Sequence, residues 1–250
     1  MRIALLSDIH GNRWALEAVL AHAGGQRVDA TWNLGDILSG PLDVAGTADL
    51  LMALDLPTIA GNHERQLLAC AERPGGRSDQ HAFAHSEPRH RAWLAALPAT
   101  LTPQPGMLLC HGTPTSDTLP LLETLEGERL RLAGPDEIAP RLPADAPALV
   151  ACGHTHLARA IQVGDRLIVN PGSVGLPAYD ADEPTPHHVD NGSPHASYAI
   201  IEQVEAQRWD VELHRVAYDW DAAAALAAAN GRPEWAHALR TGFALWPPAA

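Results

Sequence analysis

Two histidines, His154 and His156, stand two positions apart directly after the apolar run Ala148–Cys152. In nearly extended backbone, residues two positions apart point the same way, so we expect the two imidazoles to lie side by side. Imidazole is a common ligand of transition metals, and a bound ion would hold both rings neutral. The pair alone fits a polar turn after a strand equally well, because short motifs match by chance. Further ligands elsewhere in the chain are needed to indicate a metal site.

Four other strand-like apolar runs also end at groups that can bind a metal ion. In an open α/β sheet ligands bind outside the carboxyl ends of the strands, so we expect these groups to meet there. Together with His154 and His156 they supply two carboxylates, five imidazoles and one amide, more than one tetrahedral ion requires. This mixture favours manganese, iron, zinc or cobalt over calcium, and two such ions about 3.5–4 Å apart clamp a phosphoryl group. The set is Asp8, His10, Asp36, Asn62, His63, His111, His154 and His156.

Strand-like and helix-like segments alternate as far as His156, which predicts an α/β fold. Asn12 is positioned to cap the first helix, over Trp14–Leu20. Glu64 is expected to brace its turn or to interact with a helix N-terminus, not to catalyse. Further helices are predicted over Ala45–Leu54, Arg65–Ala71, Arg89–Leu97, Leu121–Leu132 and Pro135–Leu142, with a polar surface loop over Glu72–Glu87.

Beyond His156 the pattern changes to antiparallel pairs and a helical tail. Asn170 and Ser173 fall in a tight turn and are expected to support the histidine pair from outside the ligand set. The acidic, proline-rich segment Tyr179–His195 forms either a specificity lid over the metals or a mobile insertion, and we favour the insertion. The predicted elements are a hairpin of Ala158–Val163 with Arg166–Val169, an antiparallel pair of Ala196–Val204 with Arg208–Val216, and helix over Asp221–Leu239.

Length and composition limit the classes of protein. The chain has 250 residues and a formal net charge of -13, which disfavours a protein that coats duplex DNA or an anionic membrane. We find no linker and expect one domain over 1–250, with a core over about 1–216 and a helical tail over about 217–250. No apolar run approaches the roughly 20 residues that span a bilayer, and the three cysteines have no disulfide-framework spacing. A cytoplasmic protein is the default expectation.

The motifs resemble those of the calcineurin-like metallophosphoesterase superfamily. Their order and spacing are most similar to its small prokaryotic phosphodiesterase branch, the YfcE-like proteins, and the similarity extends over about residues 1–205. The resemblance implies an α/β fold in which two mixed β-sheets pack as a sandwich with helices on the outer faces, in four layers αββα. The motifs are Asp8-x-His10, Gly35-Asp36, Gly61-Asn62-His63-Glu64, His111, Gly153-His154-Thr155-His156 and the later Asn170-Pro171-Gly172-Ser173-Val174-Gly175.

The resemblance also implies two divalent transition-metal ions, manganese first, with iron, zinc, cobalt or nickel also compatible. Asp36 would bridge the ions, and His63 would act as general acid by stabilising the phosphate and protonating the leaving oxygen. A metal-bridging hydroxide would attack phosphorus in line, without a phosphoenzyme. The first ion would be bound by Asp8, His10 and His156, and the second by Asn62, His111 and His154.

The predicted activity is hydrolysis of a phosphodiester in a small phosphate-ester substrate, without stable duplex binding or membrane association. A phosphomonoesterase acting on small molecules or proteins is the main alternative, although Ile37–Gly40 replaces the Arg-Gly turn of protein phosphatases. A non-catalytic protein-binding scaffold is a second alternative, and the complete set of ligands argues against it. The sequence is compatible with both a monomer and a homo-oligomer.

Overall fold

The computed structural model describes residues 1–205 and 208–246, and all structural statements concern these residues. The strands are β1 Arg2–Leu6, β2 Ala30–Asn33, β3 Met107–Leu109, β4 Glu123–Glu126, β5 Arg129–Leu132, β6 Leu149–Ala151, β7 Arg159–Val163, β8 Arg166–Asn170, β9 Ala178–Ala181, β10 His187–Asp190, β11 Ala196–Glu205 and β12 Arg208–Val216. The helices are α1 Arg13–Gly25, α2 Val44–Leu54, α3 Asn62–Ala69, α4 Arg77–His85, α5 Pro88–Ala95, α6 Pro135–Ile138, α7 Trp220–Ala229 and α8 Pro233–Thr241, with a 3-10 helix over Ala139–Arg141.

Two mixed sheets form a sandwich. The first has the strand order β12-β11-β1-β2 and the second the order β3-β6-β8-β7. Alternate side chains of both sheets meet in one buried cluster, because residues two apart on a strand share a face. Ile3 and Leu5 contribute from β1, and Leu109 and Leu149 contribute from the opposite sheet. The predicted α/β sandwich is confirmed.

Helices cover the outer face of the first sheet. Ala4 and Leu6, on the other side of β1 from the sandwich core, pack in a buried cluster with Leu16 of α1 and Leu51 of α2. Asn12 caps α1, since its side chain accepts a hydrogen bond from the Ala15 amide at 3.2 Å. The predicted helices at α1, α2, α3 and α5 are confirmed within a few residues of their expected ends.

A third sheet, with the order β4-β5-β10-β9, adds to the two that the resemblance implied. The prediction of a helix over Leu121–Leu132 is wrong, because β4 and β5 pair as a tight hairpin. Gly127 lies in the turn at φ 63°, a left-handed conformation that glycine adopts without steric cost. The expected irregular loop Tyr179–His195 contains β9 and β10, so the preference for a mobile insertion is also not supported.

Two further segments contribute residues near the site. One differs from its prediction and the other agrees with it. The surface loop expected over Glu72–Glu87 contains helix α4, with Asp79 and Ala82 buried. The helix predicted over Asp221–Leu239 is present as α7 and α8, which pack together and place Trp235 and Leu239 in a buried cluster with Ala178 of β9. Residues 247–250 of the predicted tail lie outside the described residues. None of the described helices is long and apolar enough to cross a membrane.

Candidate metal centre

All the sequence-predicted ligands lie close to the ends of the sandwich strands, and five of them have left-handed backbone. Such φ values are uncommon outside glycine and cluster at functional sites, where the surrounding structure holds them. Hydrogen bonds between neighbouring strand ends do so here: the Asp8 amide donates to Gly35 O and the His10 amide to Asp36 O, both at 3.0 Å. The five residues and their φ values are Asp8 at 55°, His10 at 52°, Asp36 at 55°, His154 at 70° and His156 at 61°.

Glycines allow these strand ends to approach closely. A Cβ atom on Gly61 would lie 2.2 Å from Asp36 Oδ1, and a Cβ on Gly153 would lie 2.0 Å from Ser7 Oγ. Real side chains do not tolerate such contacts, so the glycines beside Asn62 and His154 are required by packing. This explains why the motifs combine glycine with the ligands.

Three imidazoles are oriented by backbone carbonyls. Nδ1 of His10 donates to Ser39 O, Nδ1 of His111 to Leu34 O and Nδ1 of His156 to Leu176 O, each at 2.7 Å. A carbonyl oxygen can only accept, so Nδ1 carries the proton, and in the neutral ring Nε2 keeps a free lone pair. Carbonyl partners of this kind orient metal-ligating histidines in proteins.

The ligand atoms fall into two adjacent groups, within each of which they lie no more than 4.8 Å apart. In the first, His156 Nε2 lies 3.1 Å from His10 Nε2 and 3.4 Å from Asp8 Oδ1. In the second, His111 Nε2 lies 3.1 Å from Asp36 Oδ2. The groups are Asp8, His10 and His156, and Asp36, His111 and His154; Asn62 joins the second group, with Oδ1 3.0 Å from His154 Nδ1.

Buried polar atoms in this cluster fit a pair of divalent cations. Both carboxylate oxygens of Asp8 and Nε2 of His111 are buried without a hydrogen-bond partner among the described residues. Burying an unpaired carboxylate is costly, and a cation removes that cost. Carboxylate, imidazole and amide donors together match divalent transition metals. The residues therefore fit the divalent ions that the resemblance implies.

The protonation of the imidazoles supports the same arrangement. Burial and the neighbouring His156 lower the pKa of His10 to about 3, and burial and His111 lower the pKa of His154 to about 4. Both rings are therefore neutral, as metal ligands must be. Burial alone would lower the pKa of His111, but the charge of Asp36 outweighs it and raises that pKa to about 10. This shift indicates an excess of negative charge at the centre of the cluster.

His63 lies at the edge of the cluster and is partnered by a residue that the sequence reasoning missed. Its Nδ1 lies 2.8 Å from Asp79 Oδ1, and its side chain keeps 29% exposure. Burial lowers the pKa of His63, but the charge of Asp36 and the hydrogen bond to Asp79 outweigh it and raise the pKa to about 9. The raised pKa favours the protonated form of His63, whose Nδ1 is held by Asp79.

Two supports that the sequence predicted are present. The Glu64 carboxylate accepts hydrogen bonds from the amides of Asp36, Ile37 and Gly61 at 2.7–2.8 Å, so it braces the turn that carries Asp36. Asn170 Nδ2 donates to Gly153 O at 2.8 Å, beside the histidine pair. Ser173 Oγ donates to Asp8 O at 2.8 Å, which extends the support to the first strand end.

Two aromatic residues beyond the motifs also contact the first group. The ring of Trp235, from α8, lies 6.0 Å from that of His10, and the ring of Tyr179, from β9, lies 4.7 Å from that of His156. Neither residue is assigned to the site in the sequence analysis. No local pattern distinguishes either residue, because their contacts are made across long stretches of chain.

Comparisons with known proteins agree with the fold and the motifs. The model of the "Calcineurin-like phosphoesterase superfamily domain" matches residues 1–192. The crystal structure of a metallophosphoesterase from Sphaerobacter thermophilus is 28% identical, with a TM-score of 0.72 over 96% of this chain and 98% of that chain. The structure of hypothetical protein PH1004 from Pyrococcus horikoshii OT3 has the same TM-score and coverage at 18% identity.

A curated sequence covers nearly the whole chain. The uncharacterized protein MJ0912 of Methanocaldococcus jannaschii is 22% identical over 261 residues, which span 93% of this chain and 94% of the relative. The superfamily predicted from the motifs is confirmed: the chain belongs to the calcineurin-like phosphoesterase superfamily.

Proposed function

We propose that the protein is a phosphodiesterase that depends on two divalent metal ions, of which manganese is the first expectation. The observation that carries the proposal is the juxtaposition of two candidate ligand groups with a protonated histidine at their edge. Asp8, His10 and His156 would hold one ion, Asn62, His111 and His154 would hold the other, and the Asp36 carboxylate would serve both. When bound, the ions hold the phosphoryl group and lower the pKa of a water nucleophile.

His63 acts as general acid in this proposal. Asp79 fixes the Nδ1 proton of His63, which leaves the Nε2 proton for the leaving ester oxygen. The 29% exposure of the His63 side chain keeps that atom within reach of a substrate. Positioned acids of this kind contribute about 10²–10⁴-fold to the rate of ester cleavage.

The charges around the site support a diester over a monoester. All 17 basic residues of the chain are arginines, and three of them, in or beside α3, β7 and α8, are paired with acids. A diester carries one negative charge, whereas a monoester dianion carries two and gains more from a free cationic side chain. The pairs are Arg65 with Asp117, Arg159 with Glu123 and Arg232 with Glu234.

The test is hydrolysis of bis(p-nitrophenyl) phosphate and of p-nitrophenyl phosphate by metal-stripped protein before and after addition of manganese. We expect manganese-dependent turnover that is faster with the diester. Faster turnover of the monoester would replace the proposal with a phosphomonoesterase. Metal binding without turnover of either ester would favour the non-catalytic scaffold.

A further inference from the structure

The segment between Leu176 and Asn191 holds His156 from several sides. Leu176 O accepts the Nδ1 proton of His156 at 2.7 Å. Asn191 Nδ2 donates to His156 O at 2.9 Å and to Pro177 O at 2.8 Å. The segment expected to be a mobile insertion is thus fastened to a candidate ligand, and any residue that it directs toward His156 is fixed relative to the metal groups.

Tyr179 is such a residue. Its ring packs edge-on against His156, with the ring centroids 4.7 Å apart and the planes at 61°. In the β9–β10 ladder Tyr179 pairs with Val189 and His187 pairs with Ala181, so Tyr179 and His187 share one face. Their ring centroids lie 6.5 Å apart. This face of the third sheet forms an aromatic wall beside the first ligand group.

The hydroxyl of Tyr179 differs from those of the other two tyrosines. Tyr198 Oη lies 2.8 Å from His22 Nδ1, and Tyr218 Oη accepts from Asn12 Nδ2 at 3.2 Å. Tyr179 makes no hydrogen bond to any residue in 1–205 or 208–246, and its side chain is only half-buried, so its hydroxyl is open to solvent and to a ligand. A phenol hydroxyl whose ring packs against His156, in the first group of candidate ligands, can donate to an anionic oxygen.

We propose that the Tyr179 hydroxyl donates a hydrogen bond to a non-bridging oxygen of the phosphate ester bound at the metal centre. The inference rests on the proposed function and deepens it, because it makes the third sheet part of the substrate site. Tyr179 contacts the phosphoryl group beside His156, whereas His63 serves the leaving oxygen. The wall of β9 and β10 then limits the size of ester substituents on that side.

The experiment compares Tyr179→Phe with the wild-type chain. The substitution keeps the ring against His156 and removes only the hydroxyl. Tyr198→Phe is the matched control, because it removes a tyrosine hydroxyl whose partner, His22, lies outside the metal groups. Three quantities are measured: manganese stoichiometry, the Kd of inorganic phosphate for the manganese-loaded protein by calorimetry, and KM and kcat for bis(p-nitrophenyl) phosphate.

We expect Tyr179→Phe to bind manganese as the wild type does and to bind inorganic phosphate about tenfold more weakly, as the loss of a hydrogen bond to a charged group predicts. KM for the diester rises by a similar factor, and Tyr198→Phe matches the wild type. Unchanged phosphate affinity in Tyr179→Phe, loss of manganese from that variant, or no phosphate binding by the wild type would each overturn the inference.

The outcomes separate this inference from the proposed function. Phosphate binding that depends on Tyr179, in a protein that cleaves neither ester, would support the contact and refute the phosphodiesterase. Diester cleavage with unchanged phosphate affinity in Tyr179→Phe would support the enzyme and refute the contact.

Discussion

His63 Nδ1 lies 2.8 Å from Asp79 Oδ1, although the two residues are 16 positions apart and belong to separate helices, α3 and α4. Asp79 also accepts a hydrogen bond from Ser39 Oγ at 2.7 Å. Ser39 in turn accepts the Nδ1 proton of His10 through its carbonyl. The proposed acid and a candidate ligand are therefore positioned through the same short network.

Asp79→Asn should lower kcat for the diester by about tenfold or more while both metal ions are retained, because it removes the charge that stabilises protonated His63. An acid must carry its proton to act, so activity falls as pH rises through its pKa. Asp79 contributes to raising the pKa of His63 to about 9, so the alkaline limb of the pH–rate profile should move to lower pH in the variant.

Asp49→Asn is the control for that measurement. Asp49 Oδ1 accepts from Nε2 of buried His90 at 2.7 Å, which makes a similar Asp–His pair away from the metal groups. Asp49→Asn should leave the alkaline limb of the pH–rate profile at its wild-type position. An unshifted limb in Asp79→Asn itself would show that His63 is not the group that titrates.

His63→Ala should reduce kcat by about 10²–10⁴-fold, the usual contribution of a positioned acid. Manganese content should stay at the wild-type level, because the ligand groups do not require the His63 side chain. His85→Ala removes an exposed histidine that bonds only to a carbonyl of its own helix, and it should have no effect. Equal turnover in His63→Ala and wild type would assign the acid to another residue.

Asp36→Asn should weaken the binding of both ions together, since the proposed bridge contacts each of them. Elemental analysis after gel filtration measures the manganese content directly. Asp165→Asn, on the exposed turn between β7 and β8, serves as the control for loss of a carboxylate. Retention of two ions at full occupancy by Asp36→Asn would contradict the bridging assignment.

Glu64→Gln should lower the free energy of unfolding by about 1–3 kcal/mol, because a neutral amide cannot accept three backbone hydrogen bonds as the carboxylate does. Urea unfolding of the metal-free protein isolates this effect from metal binding. Glu72→Gln, at an exposed position, should change stability by less than about 0.5 kcal/mol. A difference between the two variants below that limit would mean that the turn does not depend on Glu64.

Removal of the metal should lower Tm. A ligand at about a thousand times its Kd stabilises the folded state by about 4 kcal/mol, and a chain of this size shifts by about 2–4 °C per kcal/mol. Stripping one ion with a chelator should therefore lower Tm by about 8–16 °C, and manganese should restore it. The same treatment of Asp36→Asn should produce a much smaller shift.

The clustering of the candidate ligands could be predicted because its signals are local. Each candidate lies within a few positions of a glycine or of the end of an apolar run, and the topology of an α/β sheet brings such strand ends together. The structure brings together Asp8, His111 and His156 as expected, with His111 Nε2 3.9 Å from Asp8 Oδ1.

The β4–β5 hairpin and the role of Asp79 could not be predicted, because both depend on contacts between segments that are distant in the sequence. Leu121, Leu122 and Leu125 have helical spacing, yet Glu126–Arg129 closes a tight hairpin and tertiary pairing overrides that pattern. Asp79 was assigned to a loop because the glycines before it suggest irregular backbone. Its role appears only when α4 packs beside His63.

Five of the candidate ligands have left-handed backbone, and this affects which substitutions at those positions would raise stability. Asp and His tolerate that conformation better than most residues, but strained positions still cost of the order of 1–3 kcal/mol each. Glycine at such a position would relieve the strain and delete the ligand in one step. Glycine substitutions at these positions are therefore expected to raise stability while they remove candidate ligands. Selection for stability alone would favour a sandwich without the candidate metal site.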